Sequence, residues 1–126
     1  MLFDTHLLIW AALGYRRLSQ GAKDAIAEAG VTATFSLVSI WEAAIKHGLR
    51  KNDFPIPLRP LRNGLRASGW KEFIIYPDHV MAVGELPLLH GDPFDKLLVT
   101  QSSVEGMTFV TADRQLAEFG KNIRLV

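Results

Sequence analysis

The chain has 126 residues, 48% hydrophobic and 21% charged, with no cysteine. That usage excludes disorder for most of its length and predicts one domain burying roughly two-thirds of its unfolded surface. It also excludes disulfide scaffolds, zinc ribbons and thiol nucleophiles. In chain order, Met1–Asp4 reads as a short apolar strand running into a helical pattern from His6 to Leu13. Ser19–Ala29 reads as a helix capped by Ser19 and stopped at Gly30. Val31–Ser36 is rich in strand formers, and Ser39–His47 is helical up to Gly48. Prolines 55, 57 and 60 mark a loop before a basic helix over Leu58–Ala67. Glu72–Tyr76 is a strand, Asp78–Glu85 a helix, and Pro93–Glu105 a long helix ending at Gly106. Thr108–Thr111, Asp113–Phe119 and Asn122–Val126 complete the pattern as strand, helix and strand. Five short strands alternating with helices predict an α/β fold: a parallel sheet with helices on both faces.

No apolar run reaches the ~18 residues of a membrane span. The opening MLFDTHLLIW meets an acid at its fourth residue and has no basic leader, so a cytoplasmic protein is expected. The net charge of +1 is unevenly laid out. Lys46, Arg50, Lys51, Arg59, Arg62, Arg66 and Lys71 share one stretch with a single acid, Asp53, giving it +6. Such a stretch is either a solvated face or a surface for a polyanion.

Parallel sheets bind ligands beyond the carboxyl ends of their strands, where strand order reverses. Asp4 closes the first strand, and Thr111 and Asp113 close the fourth. Ser36 and Ser39 close the second, with Glu42 one turn into the helix that follows. Each acid has a plain structural role available. Asp4 and Asp113 can cap helices. Ser39-Ile40-Trp41-Glu42 is a formal capping box. In Asp92-Pro93-Phe94-Asp95, Asp92 reads as the cap, with Pro93 at the first helical position. Together the acids suggest more. The predicted sheet brings Asp4, Glu42 and Asp113 to one cleft, with Asp95 beside it. Four close carboxylates repel and raise one another's pKa. Mg²⁺ or Mn²⁺ would offset that repulsion, activate a water and hold phosphate oxygens, which is the chemistry of phosphodiester hydrolysis.

Other chemistries lack their motifs. GxxxxGK(S/T), GxGxxG and GxSxG are absent, and the four histidines show no paired ligand spacing. His6 and His90 flank acids and read either as support for them or as part-buried structural histidines.

The same residues resemble a known family. Asp4-Thr5-His6 after an apolar strand is similar to the opening of PIN-domain proteins. So are Ser39-Ile40-Trp41-Glu42-Ala43-Ala44-Ile45-Lys46, the run Leu86-Pro87-Leu88-Leu89-His90-Gly91-Asp92-Pro93-Phe94-Asp95-Lys96-Leu97-Leu98, and Thr111-Ala112-Asp113. Their order and spacing resemble the VapC-type toxins of type II toxin–antitoxin pairs, over essentially the whole chain. The resemblance implies a single PIN domain over 1–126, with a five-stranded parallel sheet and the first strand central. It implies an Mg²⁺- or Mn²⁺-dependent endoribonuclease, a homodimer, and a cognate antitoxin that blocks the cleft. Carried over by position, the family's acids fall on Asp4, Glu42, Asp95 and Asp113. Asp4, Asp95 and Asp113 would hold the metal. Glu42 would orient a water or bind a second cation. Thr111 matches the family's hydroxyl residue beside the last acid. Gly91 and Lys96 stand where many relatives carry Arg.

The basic 46–71 stretch would then guide RNA or be covered by the antitoxin. An antitoxin segment would pack along the 39–70 helices, rich in Trp41, Leu49, Phe54, Leu58, Leu61 and Leu65, and place a basic side chain among the acids. A PIN nuclease of RNA processing or DNA repair, with no antitoxin, is the rival reading; a small gene immediately upstream would discriminate between them. A non-enzymatic Mg²⁺-binding module is a third. A phosphoreceiver is disfavoured because Asp78, after the third strand, has no accompanying Thr and Lys.

Overall fold

The structure is a computed structural model that describes residues 1–85 and 91–126. Five strands, β1 (Leu2–Phe3), β2 (Thr34–Ser36), β3 (Lys71–Phe73), β4 (Phe109–Thr111) and β5 (Ile123–Leu125), form one sheet in the order β3-β2-β1-β4-β5. Every pairing is parallel. The expected α/β fold with a central first strand is therefore present. Six helices are described: α1 (Thr5–Leu13), α2 (Gln20–Ala29), α3 (Leu37–Gly48), α4 (Leu58–Ala67), α5 (Pro77–Val83) and α6 (Pro93–Val104). None is long and apolar enough to cross a membrane.

The two residues of β1 point to opposite faces, as successive strand residues must. Phe3 joins the core formed with α1, α2, α3 and α4, among Leu7, Leu8, Phe35, Leu61 and Leu65. Leu2 joins the other core, with Val38, Phe94, Leu98, Val99 and Phe109. A sheet covered on both faces buries every strand position, as in β1, β2 and β4, including the polar Thr34, Ser36 and Thr111.

Local chemistry sets most boundaries. Ser19 accepts from the Ala22 amide at 3.1 Å and starts α2. Gly30, with φ +51°, ends it. The following Gly30–Thr32 forms a 3₁₀ turn rather than the start of a strand, so β2 begins three residues later than the β propensity of Val31 suggests. At α6 the reading of Asp92-Pro93 is accurate: Asp92 accepts from the Phe94 amide at 2.8 Å and Pro93 occupies the first turn.

Two expectations fail. Asp113–Phe119 is not an α-helix; only Leu116–Phe119 winds, as a 3₁₀ turn. The Ser39–Glu42 capping box does not exist either. Helix α3 starts at Leu37, capped by Ser36, whose hydroxyl accepts from the Val38 amide at 3.0 Å. Ser39 is buried inside the helix, and its hydroxyl accepts from the Thr5 hydroxyl at 2.8 Å. Serines stand at both 36 and 39, and the formal motif selected the wrong one.

Candidate active site

From β1 the chain order moves outward through β2 to β3, then returns to the other side of β1 as β4. The reversal lies between β1 and β4, so a crevice is expected at their carboxyl ends. Asp4 follows β1 there. Its Oδ1 accepts from the Thr5 amide at 2.7 Å, capping α1, and its Oδ2 accepts from the Thr111 hydroxyl at 2.7 Å. The Thr111 hydroxyl in turn accepts from the Asp113 amide at 3.0 Å, which sets the turn after β4. Asp4, Asp95 and Asp113 line one cleft of about 370 Å³, together with His6, Trp10, Asp53 and Ala112. A wider cleft of about 530 Å³ opens on the other side of Asp95 and Asp113, bordered by Lys96 and Arg114.

Glu42 lies behind these residues rather than on the cleft wall. It is 1% exposed. Its Oε2 accepts from the Lys46 ammonium at 2.5 Å, and its Oε1 is a buried atom with no hydrogen-bond partner among the described residues. Its charge nevertheless reaches Asp4 and Asp95. Burial raises the Asp4 carboxyl above its ordinary value; the Thr111 hydrogen bond pulls it down, and the charge of Glu42 adds to the rise. Asp95 is pushed up to about 7, first by burial and then by the charges of Asp4, Asp92 and Glu42. The carboxylates therefore act as a mutually repelling group. Several are also the caps that the sequence allowed. Asp4 and Asp92 serve helix starts, and Asp113 Oδ1 accepts from the Gln115 amide at 2.9 Å. Helix amides and a shared cleft are compatible uses of the same oxygens.

These donors suit a hard divalent cation. All are carboxylate oxygens, burial and then the neighbouring carboxylates lift Asp95, and Glu42 Oε1 is buried with no hydrogen-bond partner among the described residues. Among the described residues, no three side chains converge in ligand geometry as they stand; Asp4, Glu42 and Asp113 are turned to a nearby amide, hydroxyl or ammonium.

Lys46 is the residue whose place the sequence did not reveal. Counted with a solvent-facing basic stretch, it instead points inward, with Nζ 2.5 Å from Glu42 Oε2 and 2.6 Å from Asp92 Oδ2. Burial works to lower its pKa, but the bonds to Asp92 and Glu42 prevail and push it up to about 12. The available signal was its spacing, four residues after Glu42 on one helix. Of the remaining stretch, Arg62 is paired with Glu72, while Arg50, Lys51, Arg59, Arg66 and Lys71 are exposed.

His6 packs edge-on to Phe54 and bonds Asp53 Oδ2 through Nε2 at 2.9 Å. His90, with the rest of 86–90, lies outside the described residues. His79 is fully buried. Its Nδ1 accepts from the Tyr76 amide at 3.0 Å and its Nε2 faces Glu105 Oε1 at 2.9 Å, so it is a structural histidine well away from the acids.

The same architecture occurs in known proteins. The family model of the PIN domain matches residues 1–122, and the chain belongs to that family. No curated protein matches it. Solved structures share its fold, two of them as follows. One is VapBC2 from Rickettsia felis bound to a DNA fragment from their promoter, with 14% identity and a TM-score of 0.63, covering 99% of this chain and 96% of that one. The other is a toxin–antitoxin complex from Klebsiella pneumoniae, with 19% identity and a TM-score of 0.63, covering 98% and 94%.

Proposed function

We propose that the protein is a VapC-type toxin: a metal-dependent endoribonuclease held in check by a cognate antitoxin. The observation that carries this reading is the meeting of Asp4, Asp95 and Asp113 on one cleft, with the unpartnered Glu42 Oε1 behind it, in a chain of the PIN family. Asp4, Asp95 and Asp113 would hold Mg²⁺ or Mn²⁺, through their oxygens or through water. The bound ion would supply Lewis acidity toward a phosphate and lower the pKa of an attacking water. Thr111 keeps Asp4 and the Asp113 turn in one arrangement by bonding to both. Glu42 Oε1, a buried acceptor with no partner among the described residues, would accept from a water that enters beside the acids. Lys96 and Arg114, on the rim of the wider cleft, fit the phosphates flanking the scissile bond.

An antitoxin partner is supported by the fold shared with two toxin–antitoxin complexes and by an exposed apolar row on α3. Trp41, Ile45 and Leu49, spaced four apart, are 49%, 46% and 65% exposed. Phe54, Leu61 and Leu65 are spent in the core and cannot serve that surface, as the sequence reading had them do. A basic antitoxin side chain reaching the acids would compete with the metal. A homodimer belongs to the same reading.

The test is RNA cleavage by the purified protein. Asp4→Asn and Asp95→Asn should each abolish it, EDTA should silence the wild type, and Mn²⁺ should restore it with 5′-phosphate and 3′-hydroxyl ends. Metal-independent cleavage leaving 2′,3′-cyclic phosphates would overturn the mechanism. Co-purification with the product of the adjacent gene, with loss of cleavage in the complex, tests the partner. A complex as active as the free protein would favour a processing or repair nuclease instead.

A further inference from the structure

We propose that Lys46 is a built-in counter-cation that fills the Glu42–Asp92 side of the acidic cluster, so that the centre takes one divalent ion and not two. The proposal rests on the metal-dependent reading above. The ammonium bridges Glu42 in α3 and Asp92 at the start of α6, at 2.5 and 2.6 Å. Each partner is constrained. Glu42 is 1% exposed and cannot swing its Oε2 to solvent. Asp92 is fixed by its other oxygen, which accepts from the Phe94 amide and caps α6. The Lys46 chain is held as well: its ammonium lies 5.1 Å from the centre of the Phe54 ring and 5.6 Å from that of Phe94, close enough for both to favour the cation.

An ion entering between Glu42 and Asp92 would have to displace a fixed positive charge or sit against it. Asp4, Asp95 and Asp113, by contrast, line the cleft with no Lys or Arg side chain bonded to them among the described residues. The charge of the cluster is thus divided: one part is satisfied by the chain itself, and the other is left for a dissolved ion. Lys46 also joins α3, which carries Glu42, to the start of α6, which carries Asp95. It is a positioning residue, acting through the two carboxylates it holds.

The experiment is titration of the full chain with Mn²⁺ alone, by calorimetry and by electron paramagnetic resonance. The wild type should bind one Mn²⁺ per chain and give the spectrum of an isolated ion. Lys46→Gln, which frees two carboxylates, should bind a second Mn²⁺ and give the signature of a spin-coupled pair. Lys46→Arg, which keeps the charge, should return the count to one. Two ions on the wild type, or one ion on Lys46→Gln, overturns the proposal and leaves the nuclease reading standing. No ion on the wild type overturns both. If Lys46→Gln does not fold, the wild-type and Lys46→Arg counts decide alone.

Discussion

The Thr111 hydroxyl donates to Asp4 Oδ2 at 2.7 Å, fixing the acid that follows the central strand to the end of its neighbour. The Thr111 hydroxyl also accepts from the Asp113 amide, so one side chain sets the geometry of two candidate metal ligands. Thr111→Val keeps the shape and removes both bonds. It leaves Asp4, 5% exposed, with a buried oxygen lacking a donor. A loss of about 1–3 kcal/mol is expected in urea unfolding, together with weaker Mn²⁺ binding. Thr111→Ser should recover most of both. A valine variant as stable as the wild type would show that the bond contributes nothing.

Stability should fall with rising pH in the window set by Asp95. Its folded pKa is raised to about 7, against about 4 in an unfolded chain. Between those values the folded state binds more protons than the unfolded one, so the free energy of unfolding decreases as pH increases. The contribution is fully present below pH ~4 and gone above ~7. The raised carboxyl of Asp4 acts in the same direction. Chemical denaturation of the EDTA-treated protein across that range should reveal the slope, and Asp95→Asn should flatten it.

Metal should reverse that balance. With Mg²⁺ or Mn²⁺ at 100 times its dissociation constant, the wild type should gain about 2.7 kcal/mol by mass action. Asp95→Asn should melt in EDTA at or above the wild-type midpoint at neutral pH, because one repelling charge is gone and Asp92, not Asp95, caps the helix. It should gain little from the metal. A variant that melts well below wild type in EDTA yet gains as much from Mg²⁺ would make Asp95 a structural residue only.

The acids were legible in the sequence because strand ends are. An apolar strand followed by Asp4, and another followed by Thr111 and Asp113, fix a sheet edge once the alternation with helices is seen. The caps at Ser19 and Asp92 were legible for the same local reason. What failed was any feature decided by partners far along the chain. The choice of Ser36 over Ser39 as the α3 cap depends on the Thr5 hydroxyl, which is met only when α1 packs against α3. The inward turn of Lys46 depends on Asp92, 46 residues away. The winding after Asp113 is cut to a single 3₁₀ turn although its residues have ordinary helix propensities, a tertiary override of a weak local preference.

Gly91 offers a test of one departure from the family's pattern. Its φ of +131° lies where side chains with a Cβ are strained, although the space around it is open. Gly91→Arg, which introduces the residue that the resemblance to the family implies here, should therefore cost about 1–3 kcal/mol. Thermal or urea unfolding measures it, and a neutral result would mean that the turn relaxes into another conformation.

His79 anchors α5 from within. His79→Phe preserves volume but strips the Tyr76 amide of its acceptor and leaves Glu105 without its donor. A cost of about 1–3 kcal/mol in urea unfolding is expected, with metal binding unchanged because the residue stands apart from the acids.

The central strand is the first one made, yet one of its two neighbours comes near the end of the chain. Leu2 and Phe3 pair with Phe109 and Val110, so β1 acquires one of its two neighbours only when nearly the whole chain has been synthesised. Asp4 emerges from the ribosome long before Asp95 and Asp113 exist. A chain truncated before β4 lacks Thr111, Asp113 and the strand that places them beside Asp4. On the proposed reading, cleavage assembled in this way would be withheld until β4 is made, and an antitoxin would have most of the time of translation in which to arrive.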